Sequence, residues 1–197
     1  MDRRTIKANA KEALGHKIFG ENWMMALLAC VVFGALIAAA NVLPGAGPII
    51  LFGPLTYGMN YLFLKISRTK QPADLSDLFK GFTDDFGGTL LIGLMATIFS
   101  FLWGLLLVIP GIVKSFAYSM AYYIKADHPE YGWRECLDQS QAMMRGHKWK
   151  LFMLQLSFLG WLIVGALCFG IGTLWVSPYM ETAKAEFYES IKSYVMD

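Results

Sequence analysis

The chain has 197 residues, of which 56% are hydrophobic and only 16% charged, with a formal net charge of +2 and a mean hydropathy of +0.45. A soluble domain carries roughly 25% charged residues, so this balance excludes an ordinary soluble globule. It equally excludes a disordered tail and a basic nucleic-acid binder, and no nucleic-acid partner is expected.

The elements follow in chain order. Residues before Trp23 are basic and amphipathic: Arg3, Arg4, Lys7, Lys11 and Lys17 alternate with Ile6, Ala10, Ala13, Leu14 and Ile18. An uncharged run then extends from Trp23 to Ala40, and others from Leu90 to Val113 and from Leu151 to Met180. A bilayer core of ~30 Å needs about twenty apolar residues in a helix. Each block is broken by proline and glycine, at Leu43–Pro48, Ile109–Gly111 and Gly170–Pro178. Broken in this way, the blocks read as helical hairpins. Six spans result: 23–43, 49–66, 89–109, 112–124, 151–171 and 174–188. The fold class expected is an all-α membrane protein with six transmembrane helices.

Between hairpins lie polar amphipathic stretches. Asp74 can cap one in which Leu75, Leu78, Phe79 and Phe82 share a face. In another, Trp133, Cys136, Leu137 and Met144 oppose Arg134, Glu135 and Asp138. Such helices are expected at the lipid interface, apolar face down, the alternative being a docking face for a partner protein. Lysine and arginine concentrate at the open ends of the hairpins. That distribution predicts cytoplasmic N- and C-termini and external tips, and basic loops able to hold anionic lipid head groups. Ala38-Ala39-Ala40 mimics a cleavage site, but the charged region is long and the first apolar run reaches full span length, so a retained span is expected. Cys30, Cys136 and Cys168 imply no disulfide framework.

Gly15, Gly81 and Gly146 stand 66 and 65 residues apart, each before a long span. Pro44 and Pro110 each follow their glycine by 29 residues, and Pro178 follows Gly146 by 32. A single membrane domain, 1–197, is therefore expected, holding three parallel repeats over about 5–70, 72–127 and 130–192. Each repeat is an amphipathic helix plus a helical hairpin, arranged as a pseudo-threefold bundle.

Two charges are expected in the outer half of the spans: Lys114, four residues beyond Pro110, and Glu181, three beyond Pro178. An ionisable residue within a span costs roughly 2.5–3.5 kcal/mol, so it faces the bundle and seeks a partner. Lys114 is expected either to pair with Glu181 or to snorkel to outer headgroups, and Lys184 competes for Glu181. Ser115, Tyr118 and Asn60 complete the candidate intramembrane polar site, placed on the shorter, more polar helices of each hairpin. No nucleophile, P-loop, zinc or cofactor motif is present, so neither an enzyme nor a cofactor is expected. Asp84-Asp85 reads as a solvated helix end.

The segments IPGIVKSFAYSMAYYI, MMRGHKWKLF, LSFLGW and GIGTLWVSPYMETAKAEFY, between Ile109 and Tyr188, resemble the bacterial six-helix membrane family catalogued as domain of unknown function 975. The resemblance implies a bacterial cytoplasmic (plasma) membrane location; it adds no mechanism and carries over no catalytic residues. Two roles are left open: a non-enzymatic assembly or scaffold protein with an unidentified protein partner, or a small transporter or channel with a polar path near Lys114 and Glu181.

Overall fold

The computed structural model describes residues 3–15, 20–42, 47–167 and 171–192, and among them there are helices and no strand. In chain order these are α1 (Arg3–Ala13), α2 (Glu21–Val42), α3 (Gly47–Thr69), a 3-10 turn (Leu75–Phe79) running into α4 (Lys80–Thr83), α5 (Phe86–Leu106), α6 (Val108–Tyr118), α7 (Ala121–Asp127), α8 (Trp133–Met143), α9 (Lys148–Leu167) and α10 (Ile171–Lys192). Among the described residues two helices are long and apolar enough to cross a membrane, over 21–42 and 86–105. Helix α3 is as long, but it carries Lys65 and Arg68 near its end.

Local chemistry accounts for the starts. Asp74 accepts a hydrogen bond from the Ser76 amide, and the Asp77 carboxylate accepts one from the Asp74 amide. This reciprocal box satisfies amides that have no partner within the turn. The Asp85 carboxylate caps α5 through the Gly88 amide at 2.8 Å. Gly15 and Gly146 take left-handed φ values of +82° and +77°, the conformation that ends a helix most cheaply with glycine. Gly81 departs from that pattern. It lies within α4, where an added Cβ would stand 2.2 Å from the Pro54 carbonyl oxygen, so its role is close helix approach.

The prolines do not all mark tips. Pro110 sits in the first turn of α6, after an extended Leu107, whereas Pro54 and Pro178 lie inside α3 and α10. Pro44 and Gly45 fall outside the described residues, as do His16, Lys17 and Cys168. Glycine pairs mark the second and third hairpins instead. A Cβ on Gly111 would meet the Gly104 Cα at 2.6 Å, and one on Gly172 would meet the Gly165 Cα at 2.6 Å. Gly104 and Gly165 are 61 residues apart, as are Gly111 and Gly172. Tyr57, Tyr118 and Tyr179 repeat the same interval.

The fourth expected span is two helices. Between α6 and α7 the Ser140 side chain enters from α8: its hydroxyl donates to the Ala117 carbonyl at 2.7 Å and accepts from the Met120 amide at 3.2 Å. A side chain inserted into the helical ladder is a recognised cause of a break, and Ser140 is wholly buried there.

Packing follows one cyclic scheme. The long helix of each hairpin packs on its own short helix: α2 on α3, α5 on α6, α9 on α10. It also packs on the short helix of the hairpin before: α5 on α3, α9 on α6, α2 on α10. Each amphipathic element does likewise: α4 on α3, α8 on α6 and α7, α1 on α10. The apolar faces of α1 and α8 are thereby consumed by the protein core. Ile6, Ala10, Ala13, Cys136, Leu137 and Met143 are all buried, rather than laid on lipid as expected from amphipathicity alone. The centre is built from the short helices, with Phe63, Ile66, Tyr123, Phe187 and Tyr188 buried and the Tyr123 and Tyr188 rings stacked at 5.2 Å. Large apolar side chains are exposed around the hairpin ends, among them Phe101, Leu105, Val108, Ile109 and Trp161. Water-exposed apolar surface of that extent is the mark of an interaction face.

Candidate functional site

A cleft of about 780 Å³ opens among the three hairpins. Phe33 of α2, Phe52, Thr56, Met59 and Asn60 of α3, and Ala96, Thr97, Ser100 and Phe101 of α5 line one part of it. Ser115, Tyr118, Ser119, Met120, Tyr122 and Tyr123 of the α6–α7 segment, Leu151 and Gln155 of α9, and Glu181 and Lys184 of α10 line the rest. Each hairpin therefore contributes, and polar groups alternate with apolar wall. The volume falls in the range of roughly 300–1,000 Å³ seen for small-molecule sites.

Five of the six residues proposed from the sequence meet here: Asn60, Ser115, Tyr118, Glu181 and Lys184. Lys114 does not. Its ammonium donates to the Gln141 side-chain carbonyl of α8 at 2.9 Å and lies 5.3 Å from the Trp103 ring and 5.9 Å from the Tyr118 ring. Glu181 pairs with Lys184 at 2.7 Å, so the expected Lys114–Glu181 pair is replaced by the competing partner one turn away. Register gives the reason. Taking Pro178 as a tip made the two charges look equivalent in depth. Measured from the glycine pairs, Lys114 is three residues past Gly111 and Glu181 nine past Gly172. Six residues of helix amount to ~9 Å of rise and more than a full turn of rotation.

The hydroxyls in the cleft donate inward to their own helices: Thr56 to Phe52 O at 2.5 Å, Thr97 to Gly93 O at 2.8 Å, Ser115 to Ile112 O at 2.8 Å and Ser119 to Phe116 O at 2.8 Å. The Asn60 amide donates to Thr56 O at 2.7 Å. Their remaining oxygen lone pairs are free to accept. Tyr122 and Tyr123 also line the cleft, and their buried hydroxyls have no hydrogen-bond partner among the described residues. An unsatisfied buried donor costs about 1–3 kcal/mol.

At the far ends of the short helices a second polar cluster ties α3, α7 and α10 together. Arg68 bonds Asp127 at 2.7 Å and Glu189 at 2.6 Å, Lys192 bonds Asp127 at 2.7 Å, and the Tyr188 hydroxyl donates to Asp127 at 2.8 Å. Burial alone would raise the Asp127 carboxyl, but the hydrogen bonds from Arg68, Lys192 and Tyr188 outweigh it and hold the group at about 2. Ser67 donates to Glu186 at 2.7 Å in the layer above. Lys125, at the end of α7, is buried. It bonds Asp85 at 2.6 Å and the Pro129 and Tyr131 carbonyls. Asp85 therefore serves as cap and counter-ion together. No group of three or more potential metal ligands occurs among the described residues.

The architecture so far is that of an all-helical protein with two membrane-capable helices and an internal polar cleft. Residues 105–194, from the end of α5 through α10, match the family model described as Protein of unknown function (DUF975). The resemblance seen in the sequence thus stands for the segment that carries Ser115, Tyr118, Glu181 and Lys184. No curated protein and no solved structure matches the chain.

Proposed function

We propose that the chain is a multi-pass protein of the bacterial cytoplasmic membrane, built of six spans in three parallel repeats about a pseudo-threefold axis. In this reading both termini are cytoplasmic, and the protein admits a small solute to its central cleft as a non-enzymatic carrier without a cofactor. The cyclic packing scheme and the 61-residue interval support the repeat. The two apolar helices and the exposed apolar hairpin ends support membrane insertion. The observation that carries the functional reading is the cleft, to which every hairpin contributes and which holds a charged pair in otherwise apolar walls. The Arg68–Asp127–Glu189–Lys192 cluster ties the opposite end of the short helices together.

The other reading, an assembly or scaffold protein that uses its basic amphipathic helices as a platform, would draw on their outward faces, since the apolar faces of α1 and α8 are buried in the core. The basic outer face of α1 still suits anionic lipid head groups. The test is chemical access. In a variant with Cys30, Cys136 and Cys168 replaced, a Ser115→Cys substitution places a single thiol in the cleft. Rapid labelling in intact cells by a membrane-impermeant thiol reagent is expected. Absence of labelling, with full reaction after denaturation, contradicts a solvent-reached cleft.

A further inference from the structure

The charge carried by the cleft defines what it can hold. Among its lining residues stand one carboxylate and one ammonium, Glu181 and Lys184, on the same turn of α10. Their bond links no second helix, in contrast to Arg68, which ties α3 to α7 and α10. A structural clamp would join elements; this pair joins only itself. A ligand of net charge would leave one charge uncompensated in a half-buried site, which costs several kcal/mol. A zwitterion leaves the balance unchanged. It can open the pair and replace each half.

The surrounding groups are sorted to suit. Around the cleft the Thr56, Thr97, Ser115 and Ser119 protons are spent on helical carbonyls, so these side chains offer acceptor oxygens. An ammonium group, with three donors and no acceptor, needs such a setting beside the Glu181 carboxylate. An anionic group needs donors, and the Lys184 ammonium supplies them on a lining that also holds Gln155. The Tyr122 and Tyr123 hydroxyls are buried out of a ligand's reach. Phe33, Phe52, Met59 and Leu151 form the apolar part of the wall.

We infer that the cleft binds a zwitterion joined to an apolar body, its primary ammonium at Glu181 and its anionic group at Lys184. This inference rests on the cleft being reached by ligand, as proposed above. Two sources present that chemistry: the headgroup of an aminophospholipid, and a free apolar amino acid.

The test uses the purified full chain in non-ionic detergent, with binding followed by thermal shift and microscale thermophoresis. The probes are dihexanoyl phosphatidylethanolamine and, with the same tails but no ammonium, dihexanoyl phosphatidylglycerol. Leucine and isopentylamine, which lacks the carboxylate, form the second pair. The zwitterion of at least one pair is expected to bind at least about tenfold more tightly than its partner, a difference of about 1.4 kcal/mol. Which pair discriminates identifies the source. A double substitution, Glu181→Gln with Lys184→Gln, leaves no unpaired charge and is expected to fold while losing that preference. Equal binding within both pairs, no binding of either zwitterion, or a preference that survives in the double variant overturns the assignment. Failure here with rapid labelling of Ser115→Cys leaves the cleft reading intact; failure of the labelling removes both.

Discussion

At the residue scale, buried polar groups in this protein are specific about their partners. Ser140 satisfies two backbone groups at the α6–α7 break, so Ser140→Ala leaves the Ala117 carbonyl and Met120 amide unpaired. The expected cost is about 1–3 kcal/mol, read as a lower unfolding temperature in detergent, with Ser140→Thr the closest substitute that keeps the hydroxyl. Asp127 gives a pH signature. Its carboxyl, held at about 2, lies below the ordinary 3.8. A depressed acid stabilises the folded state fully above its unfolded value and loses that contribution as the pH falls toward its folded one. Thermal stability should therefore fall between about pH 4 and about pH 2 in the wild type. Asp127→Asn should be less stable near neutral pH and should lack that acid step. Neither residue was legible in the sequence, because the feature that singles out each one is a partner distant along the chain. Ser140 is a polar position on an amphipathic helix and Asp127 a charge at a helix end, and nothing local marks either one.

At the element scale, the hairpins depend on where backbone approaches backbone. The glycine pairs predict an asymmetry. A Cβ on Gly111 collides with the Gly104 backbone, whereas one on Gly104 meets nothing within 4 Å. Gly111→Ala is expected to destabilise by about 1–3 kcal/mol, and Gly104→Ala to be tolerated. Chemical denaturation of the two variants side by side checks this, and equal effects would contradict the crossing. Much at this scale was readable. Uncharged runs and Pro/Gly breaks located each long helix to within four residues at either end, because apolar length is a local property. Depth was misread where proline was taken as punctuation. Pro178 sits inside α10, and that displacement is what made Lys114 and Glu181 look like partners. The spacing of 61 between Gly104 and Gly165, and among Tyr57, Tyr118 and Tyr179, was present in the sequence and would have corrected the register.

At the scale of the whole molecule, the polar character of the short helices serves two ends. One layer, around Asp127, joins α3, α7 and α10 by charge-assisted bonds. The layer nearer the tips leaves a cleft whose charges balance. Composition pointed to a membrane-type chain, and among the described residues two helices are long and apolar enough to cross a bilayer; of the polar residues singled out on the short helices, five line one cleft. The sequence reading did not foresee the amphipathic helices closing against the bundle, since an apolar face is equally at home on lipid or on protein. Lys114 illustrates the same ambiguity: a lone cation in an apolar run predicts a partner, but the partner came from α8 through Gln141.

The claim that the cleft is reached by water is tested most directly on the unmodified chain. Hydroxyl-radical footprinting in membrane vesicles, read by mass spectrometry, compares three methionine sites. Met59 lines the cleft at 9% exposure, Met24 is 44% exposed on α2, and Met143 and Met144 are buried at the C-terminal end of α8. The account predicts oxidation of Met59, with Met24 shielded by lipid and Met143 and Met144 unmodified. An unmodified Met59 beside an oxidised Met24 would contradict it.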